Sequence, residues 1–218
     1  MAWLRENQMS AIYGKPAYWD QATAALAAAD PVMAGLIASY PDISLEGRGE
    51  VFHTLARAIV GQQISVKAAD SVWARFAAHL QKIEAARVLE SSVEELRTCG
   101  LSARKVEYLY DLAKHQQAGL LDVALWHDLD DEAVIVKLVD IRGIGRWTAE
   151  MFLIFYLLRP NVLPLDDIGL LKAIALLYHD GERLPRGDIS DLAHNWQPWC
   201  TVATWYLWRS LDPVPVEY

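Results

Sequence analysis

The sequence predicts an all-α fold made of two helical subdomains, and three observations carry that reading. Apolar residues recur at helical spacing in nearly every segment, as in Val51, Phe52, Leu55, Ala58 and Ile59. Small polar residues stand ahead of those segments where caps belong: Asp30, Ser65, Ser92 and Ser102. Residues with β preference fall on the same helical spacing, so no strand is required.

Taken in order, Tyr18 to Ala29 and Pro31 to Tyr40 read as two short helices, the second with Asp30 as N-cap and Pro31 in its first turn. Residues 41–48 read as a loop. A helix follows over Gly49 to Gln62, broken by Gly61-Gln62-Gln63-Ile64. Ser65 then caps a helix carrying Val66, Ala69, Val72, Trp73 and Phe76. Ser92 and Glu95 have capping-box spacing for a short helix ending near Gly100. Ser102 opens another, with Val106, Leu109, Tyr110 and Ala113 facing inward. Leu121 to Asp130 reads as a loop or short turn, and Asp131 to Val139 as a helix. A strongly apolar helix is expected from Arg146 to Leu158, and another after Asp167 carries Leu170, Leu171, Ile174 and Leu177. His179 to Arg186 is rich in turn residues, and the final helices hold the tryptophan-rich run from Trp196 to Arg209.

Composition narrows the classes. In 218 residues, 53% hydrophobic and 22% charged, no uninterrupted apolar run reaches membrane-span length. The first nineteen residues lack the apolar region of a secretory signal, so a cytoplasmic protein is expected. Cys99 and Cys200 are too few for a Cys₄ zinc or iron–sulfur site, and the six histidines show no ligand spacing. The net charge of −8 weighs against nucleic acid as a partner. Residues 137–150 run the other way, since Lys137, Arg142 and Arg146 outnumber Asp140 and Glu150.

One stretch organises the rest: Leu138 to Gly169, LVDIRGIGRWTAEMFLIFYLLRPNVLPLDDIG. Gly143 and Gly145 let backbone N–H groups turn outward, and the following helix adds its N-terminal partial positive charge. That makes a ready anion site. A tight helix–helix turn without any ligand would use the same glycines. Beyond it, Pro160 and Pro164 interrupt the chain, and Asp166 and Asp167 precede an apolar helix. An aspartate so placed is an N-cap.

The ordered set I-R-G-I-G-R-W-T-A, apolar helix, P-L-D-D resembles the helix-hairpin-helix and Gly/Pro-rich-loop-Asp superfamily of base-excision DNA glycosylases. The runs R-A-I-V-G-Q-Q-I-S-V-K-A-A, G-L-S-A-R-K-V-E-Y-L-Y-D-L-A and W-Q-P-W-C-T-V-A-T-W-Y-L-W-R extend the likeness over about Val51 to Leu211 and point to the 3-methyladenine DNA glycosylase II type. The resemblance implies a central domain over 45–166 holding the hairpin, a second bundle from 1–44 plus 167–218, and an active cleft between them. It implies a protein that flips damaged bases from double-stranded DNA, acts as a monomer, touches no membrane, needs no cofactor and holds no iron–sulfur cluster.

Residue by residue, the resemblance puts catalysis on Asp167, whose carboxylate would stabilise the sugar cation formed as the base leaves. Asp166 is given no such role. Gln63 matches the side chain that fills the gap of a flipped base, while Gln62 and Gln63 bonded to the turn backbone is the plainer alternative. Ser65, Gly143, Gly145 and Thr148 would face the DNA backbone. Backbone carbonyls of Val139, Ile141 and Ile144 would ligate a monovalent cation. Trp147 stands where enzymes that also cut the backbone carry lysine, so simple hydrolysis to an abasic site is expected. Trp147, Met151 and Trp208 would line the base pocket, with an aromatic face suited to cationic alkylated purines. Relatives usually carry arginine at the place of Cys200. Two alternatives remain open: a noncatalytic helix-hairpin-helix DNA-binding module, and a glycosylase for another damaged or mismatched base.

Overall fold

The computed structural model describes residues 14–47 and 49–212, so the stretch screened for a secretory signal lies mostly outside it. Among the described residues there are twelve α-helices, two 3-10 turns and no strand, only an antiparallel bridge between Gly14 and Gly47. No helix among them is long and apolar enough to cross a membrane.

The helices divide into two compact units. One, residues 49–152, contains α3 (Val51–Gly61), α4 (Val66–Leu80), α5 (Ala85–Glu90), α6 (Val93–Thr98), α7 (Ala103–Gln117), α8 (Asp131–Val139) and most of α9 (Arg146–Phe155). The other joins 14–47 to residues 153–212 and contains α1 (Trp19–Ala29), α2 (Pro31–Ser39), α10 (Ile168–Tyr178), α11 (Arg186–Ala193) and α12 (Cys200–Leu211). The second division falls inside α9, between Phe152 and Leu153, whereas the sequence places it near 166. A continuous apolar helix carries no composition change that would mark it.

In the 49–152 unit, α7 is the central element, packed against α3, α5 and α6. Its Val106, Leu109, Leu112 and Ala113 are all buried, while Tyr110 is half-exposed and donates its hydroxyl to the Ser91 carbonyl. The capping box at Ser92 and Glu95 is complete: each side chain meets the other residue's backbone N–H. In the other unit, α12 packs on α1, α2 and α10, with Trp19 edge-on to Trp205. Asp30 is the polar centre of this packing. Its Oδ1 accepts the Val32 and Met33 amides, and its Oδ2 accepts the Tyr178 hydroxyl and the Trp196 indole N–H. A buried carboxylate with four donors is satisfied rather than stranded.

Three elements differ from expectation. Helix α9 stops at Phe155, not Leu158, because Leu158 adopts a left-handed φ of 53° and Arg159 donates back to the Leu153 carbonyl. Helix α5 spans six residues, too few for periodicity to register. Helix α11, RGDISDLA, is polar and contains Gly187, so the sequence gives it little helical signature.

Candidate functional site

The hairpin is built in the 49–152 unit. Asp130 caps α8 through the Ala133 amide, and the chain leaves α8 with Ile141 donating to Leu138. Ile144 then donates to the Ile141 carbonyl, closing the turn. Gly143 has φ +87°, and a Cβ there would lie 2.2 Å from the Tyr108 ring. Both the backbone and the neighbouring ring exclude a side chain. Gly145 is different: it has no positive φ, and a Cβ there would meet nothing within 4 Å. It is exposed, at the start of α9, where first-turn amides have no acceptor within the helix. The sequence motif thus contains one glycine that the fold needs and one that leaves an open surface.

Arg146, which follows Gly145, is held by two carboxylates. It makes a two-pronged contact with Glu132 at 2.9 and 2.8 Å and a third with Glu150 at 3.0 Å. The Glu132 hydrogen bonds hold its guanidinium more firmly protonated than usual, and Glu132 is held below the usual carboxylate range. Counting Glu132 cancels the small positive excess read from residues 137–150. Backbone amides at the start of α9 are what the turn offers beside the exposed Arg142.

Thr148 is buried at the start of α9, Trp147 is half-exposed, and Met151 is 5% exposed. Ile144 is buried, while Val139 is exposed at the last turn of α8, where helix carbonyls lack intrahelical donors. The Ile141 carbonyl already accepts one hydrogen bond, which leaves one lone pair for a cation. Neutral carbonyl oxygens of this kind fit a monovalent ion, and no cluster of acidic or imidazole ligands for a metal is found among the described residues.

The loop before α4 exposes Gln63, Ile64, Ser65 and Val66 in succession. Gln63 is left-handed at φ 59°, and Ser65 caps α4 with a long 3.3 Å bond from Ala68. The Gln62 amide donates to the Ile59 carbonyl, but its side chain leaves its own turn. Its Nε2 donates to the Gly143 carbonyl at 2.8 Å. Lys105 donates to the carbonyls of Val60 and Gln62.

The aspartate is built in the other unit. The Pro160–Pro164 loop is fastened to α12 by Thr201, which donates to the Arg159 carbonyl and accepts the Val162 amide. Asp167 closes the loop by donating its amide to the Pro164 carbonyl, and it caps α10. Its side chain is 8% exposed. Oδ1 accepts the Leu170 amide at 2.6 Å and the Trp208 indole N–H at 2.8 Å. Trp208 is itself stacked on Phe155, with centroids 5.7 Å apart and planes at 10°. Gly169 makes room for this contact, since a Cβ there would come within 3.1 Å of Oδ1 and 3.4 Å of the indole. Asp166 is exposed and ion-paired with Arg186. Cys200 is buried at the head of α12, with its thiol pushed up to about 11 by burial.

Sequence reasoning singled out the hairpin glycines and Asp167, but not the residues that shape their surroundings: Tyr108, Asp111, Thr201 and Gly169. Asp111 accepts the Arg142 amide at 2.8 Å. None of these lies in the quoted hairpin signature except Gly169, which reads as an ordinary helix residue.

A turn of backbone amides and a fixed carboxylate, on an all-helical frame, are tools for gripping a polyanion and for stabilising a cation. Comparison with known proteins supplies the class. Residues 56–198 match the HhH-GPD superfamily of base excision DNA repair proteins. DNA-3-methyladenine glycosylase 1 of Schizosaccharomyces pombe is 35% identical over 184 residues, covering 80% of this chain and 78% of that protein. The crystal structure of a DNA-3-methyladenine glycosidase from Bacillus halodurans superimposes with a TM-score of 0.79 at 33% identity, over 86% of this chain and 87% of the other. The Schizosaccharomyces pombe 3-methyladenine DNA glycosylase in complex with abasic DNA gives 0.74 at 28% identity, over 90% of this chain and all of that one. The chain belongs to the HhH-GPD superfamily.

Proposed function

We propose that this protein is a monofunctional DNA glycosylase of base excision repair. It hydrolyses the N-glycosidic bond of alkylated purines of the 3-methyladenine type in duplex DNA and leaves an abasic site. The observation that carries the reading is the Asp167 carboxylate, whose Oδ1 is fixed by the Leu170 amide and the Trp208 indole. As the C1′–N bond breaks, the base leaves with the bonding electrons and the sugar becomes oxocarbenium-like. A carboxylate already fixed in place stabilises that charge without reorganising. Water then forms the new C1′–O bond, and its proton passes to the carboxylate or to solvent. An N-alkylated purine carries its own positive charge, so the leaving group needs no separate acid.

The remaining roles follow the family motif. Amides around Gly143, Gly145 and Thr148 grip one phosphate, and the carbonyls of Val139, Ile141 and Ile144 would hold a monovalent cation, which would add positive charge beside that phosphate. Ser65 faces the same backbone, and Gln63 enters the gap left by the flipped base. Trp147, Met151 and Trp208 are the candidates for contact with the flipped base, and Trp147 brings no amine for a lyase step. The protein works as a monomer.

The test is direct. Duplex DNA treated with a methylating agent is incubated with the protein, and released bases are separated by chromatography. Free 3-methyladenine should appear with time, and strands should break only after later alkaline treatment. Tight binding to abasic-site duplex with no base release would instead establish a noncatalytic module.

A further inference from the structure

We propose that Lys105 and Gln62 form a strut joining the Gln63 loop to the hairpin turn, which makes both positioning residues for the DNA-binding face. The proposal rests on the glycosylase reading above. Its two links meet at Gln62. Lys105 Nζ donates to the carbonyls of Val60 and Gln62, both at 2.8 Å. These oxygens close α3, where carbonyls have no intrahelical donor and a cation is favoured. The other end of Gln62, its Nε2, donates to the Gly143 carbonyl at 2.8 Å. Gln63, the next residue, is left-handed and exposed. The ammonium thus fixes the backbone from which Gln63 projects, and the amide of Gln62 fixes the turn.

One face of α7 serves both ends. Lys105, Tyr108 and Asp111 follow at three-residue spacing, so they line one side of the helix. Lys105 takes the loop; Tyr108 lies against Gly143, and Asp111 accepts the Arg142 amide. Burial lowers the Lys105 pKa, in keeping with an ammonium spent on protein carbonyls rather than left in water. A side chain that must enter the duplex at a fixed distance from a gripped phosphate gains from such bracing, because the geometry is set before DNA arrives.

Hydrogen exchange of the free protein tests the strut without DNA. Gln62→Met and Lys105→Met should each speed exchange of the Ile144 amide by about three- to tenfold, the loss expected from one hydrogen bond. Exchange at Leu109 and Ala113, in the core of α7, should not change, which separates bracing from general destabilisation. Lys105→Arg, which keeps the donors, should exchange like the wild type, and exposed Glu107→Gln is the control on the same helix. If Lys105→Met does not fold, Gln62→Met carries the test alone. An unchanged Ile144 rate in folded Gln62→Met overturns the strut whether or not the protein binds DNA. A second readout is affinity for abasic-site duplex in a double-mutant cycle of Gln63→Ala and Gly145→Asp. The two losses should be non-additive in the wild-type background and additive with Gln62→Met. Additivity in both backgrounds overturns the coupling. If the wild-type protein binds no abasic duplex, the glycosylase reading fails, a result distinct from any exchange rate.

Discussion

The Trp208 indole N–H donates to Asp167 Oδ1 at 2.8 Å while its ring lies flat against Phe155. An aromatic residue expected to serve the base pocket is therefore also a clamp on the carboxylate. The stack fixes the indole plane, and the indole fixes the oxygen. Trp208→Phe removes the donor but keeps the stack. The maximal single-turnover excision rate should fall about tenfold, the size of one lost charge-assisted hydrogen bond, with little change in half-saturating DNA concentration. An unchanged rate would reduce Trp208 to a pocket wall.

Asp167→Asn keeps an oxygen for the Leu170 amide and the Trp208 indole, so the cap and the melting temperature should change little. Excision should fall on the order of a hundredfold or more, most of all for neutral lesions, while binding to abasic-site duplex persists. Asp166 is engaged with Arg186 on the surface, and Asp166→Asn should stay active. An active Asp167→Asn beside an inactive Asp166→Asn would move the chemistry one residue upstream.

The two hairpin glycines should separate folding from binding. Gly143→Ala meets both a positive φ and the Tyr108 ring, and should cost about 1–3 kcal/mol of stability by urea unfolding. Gly145→Asp meets open space, so its melting curve should match the wild type. A carboxylate among amides turned toward phosphate should nevertheless weaken duplex binding at least tenfold. Equal affinity in the folded variant would remove the hairpin from the DNA contact.

Cys200 sets a limit at alkaline pH. Its folded thiol titrates near 11 against an ordinary value of 9.0, because burial disfavours the thiolate. Below pH 9 both folded and unfolded chains keep the proton and stability is complete. Between 9 and 11 the unfolded chain sheds it first, so stability falls as pH rises, by roughly 2 kcal/mol at pH 10.5. Cys200→Ala should show a correspondingly smaller drop in urea midpoint between pH 8.5 and 10.5. An identical drop would assign the effect to the buried tyrosines, whose hydroxyls are also shifted upward by burial.

What the sequence made legible were features whose signal is local. Caps at Asp30, Ser65, Ser92, Ser102 and Asp167 depend on residues two or three positions away, and each forms as its spacing indicates. The partners that shape the site are remote in the chain. Tyr108 reaches Gly143, Gln62 reaches the same turn, and Trp208 reaches Asp167, each across dozens of residues. No periodicity encodes such pairs. Charge misled for the same reason: the surplus counted over residues 137–150 vanishes because Glu132, just outside that window, folds onto Arg146.

That Glu132–Arg146–Glu150 arrangement governs how the protein meets undamaged DNA. A cation already held by two carboxylates displaces few counterions, and the logarithm of affinity falls with that of salt by roughly 0.9 per neutralised phosphate. An acidic body adds little long-range pull toward a polyanion. A short dwell on intact duplex is the expected outcome, and a shallow salt dependence of binding to undamaged duplex would check it.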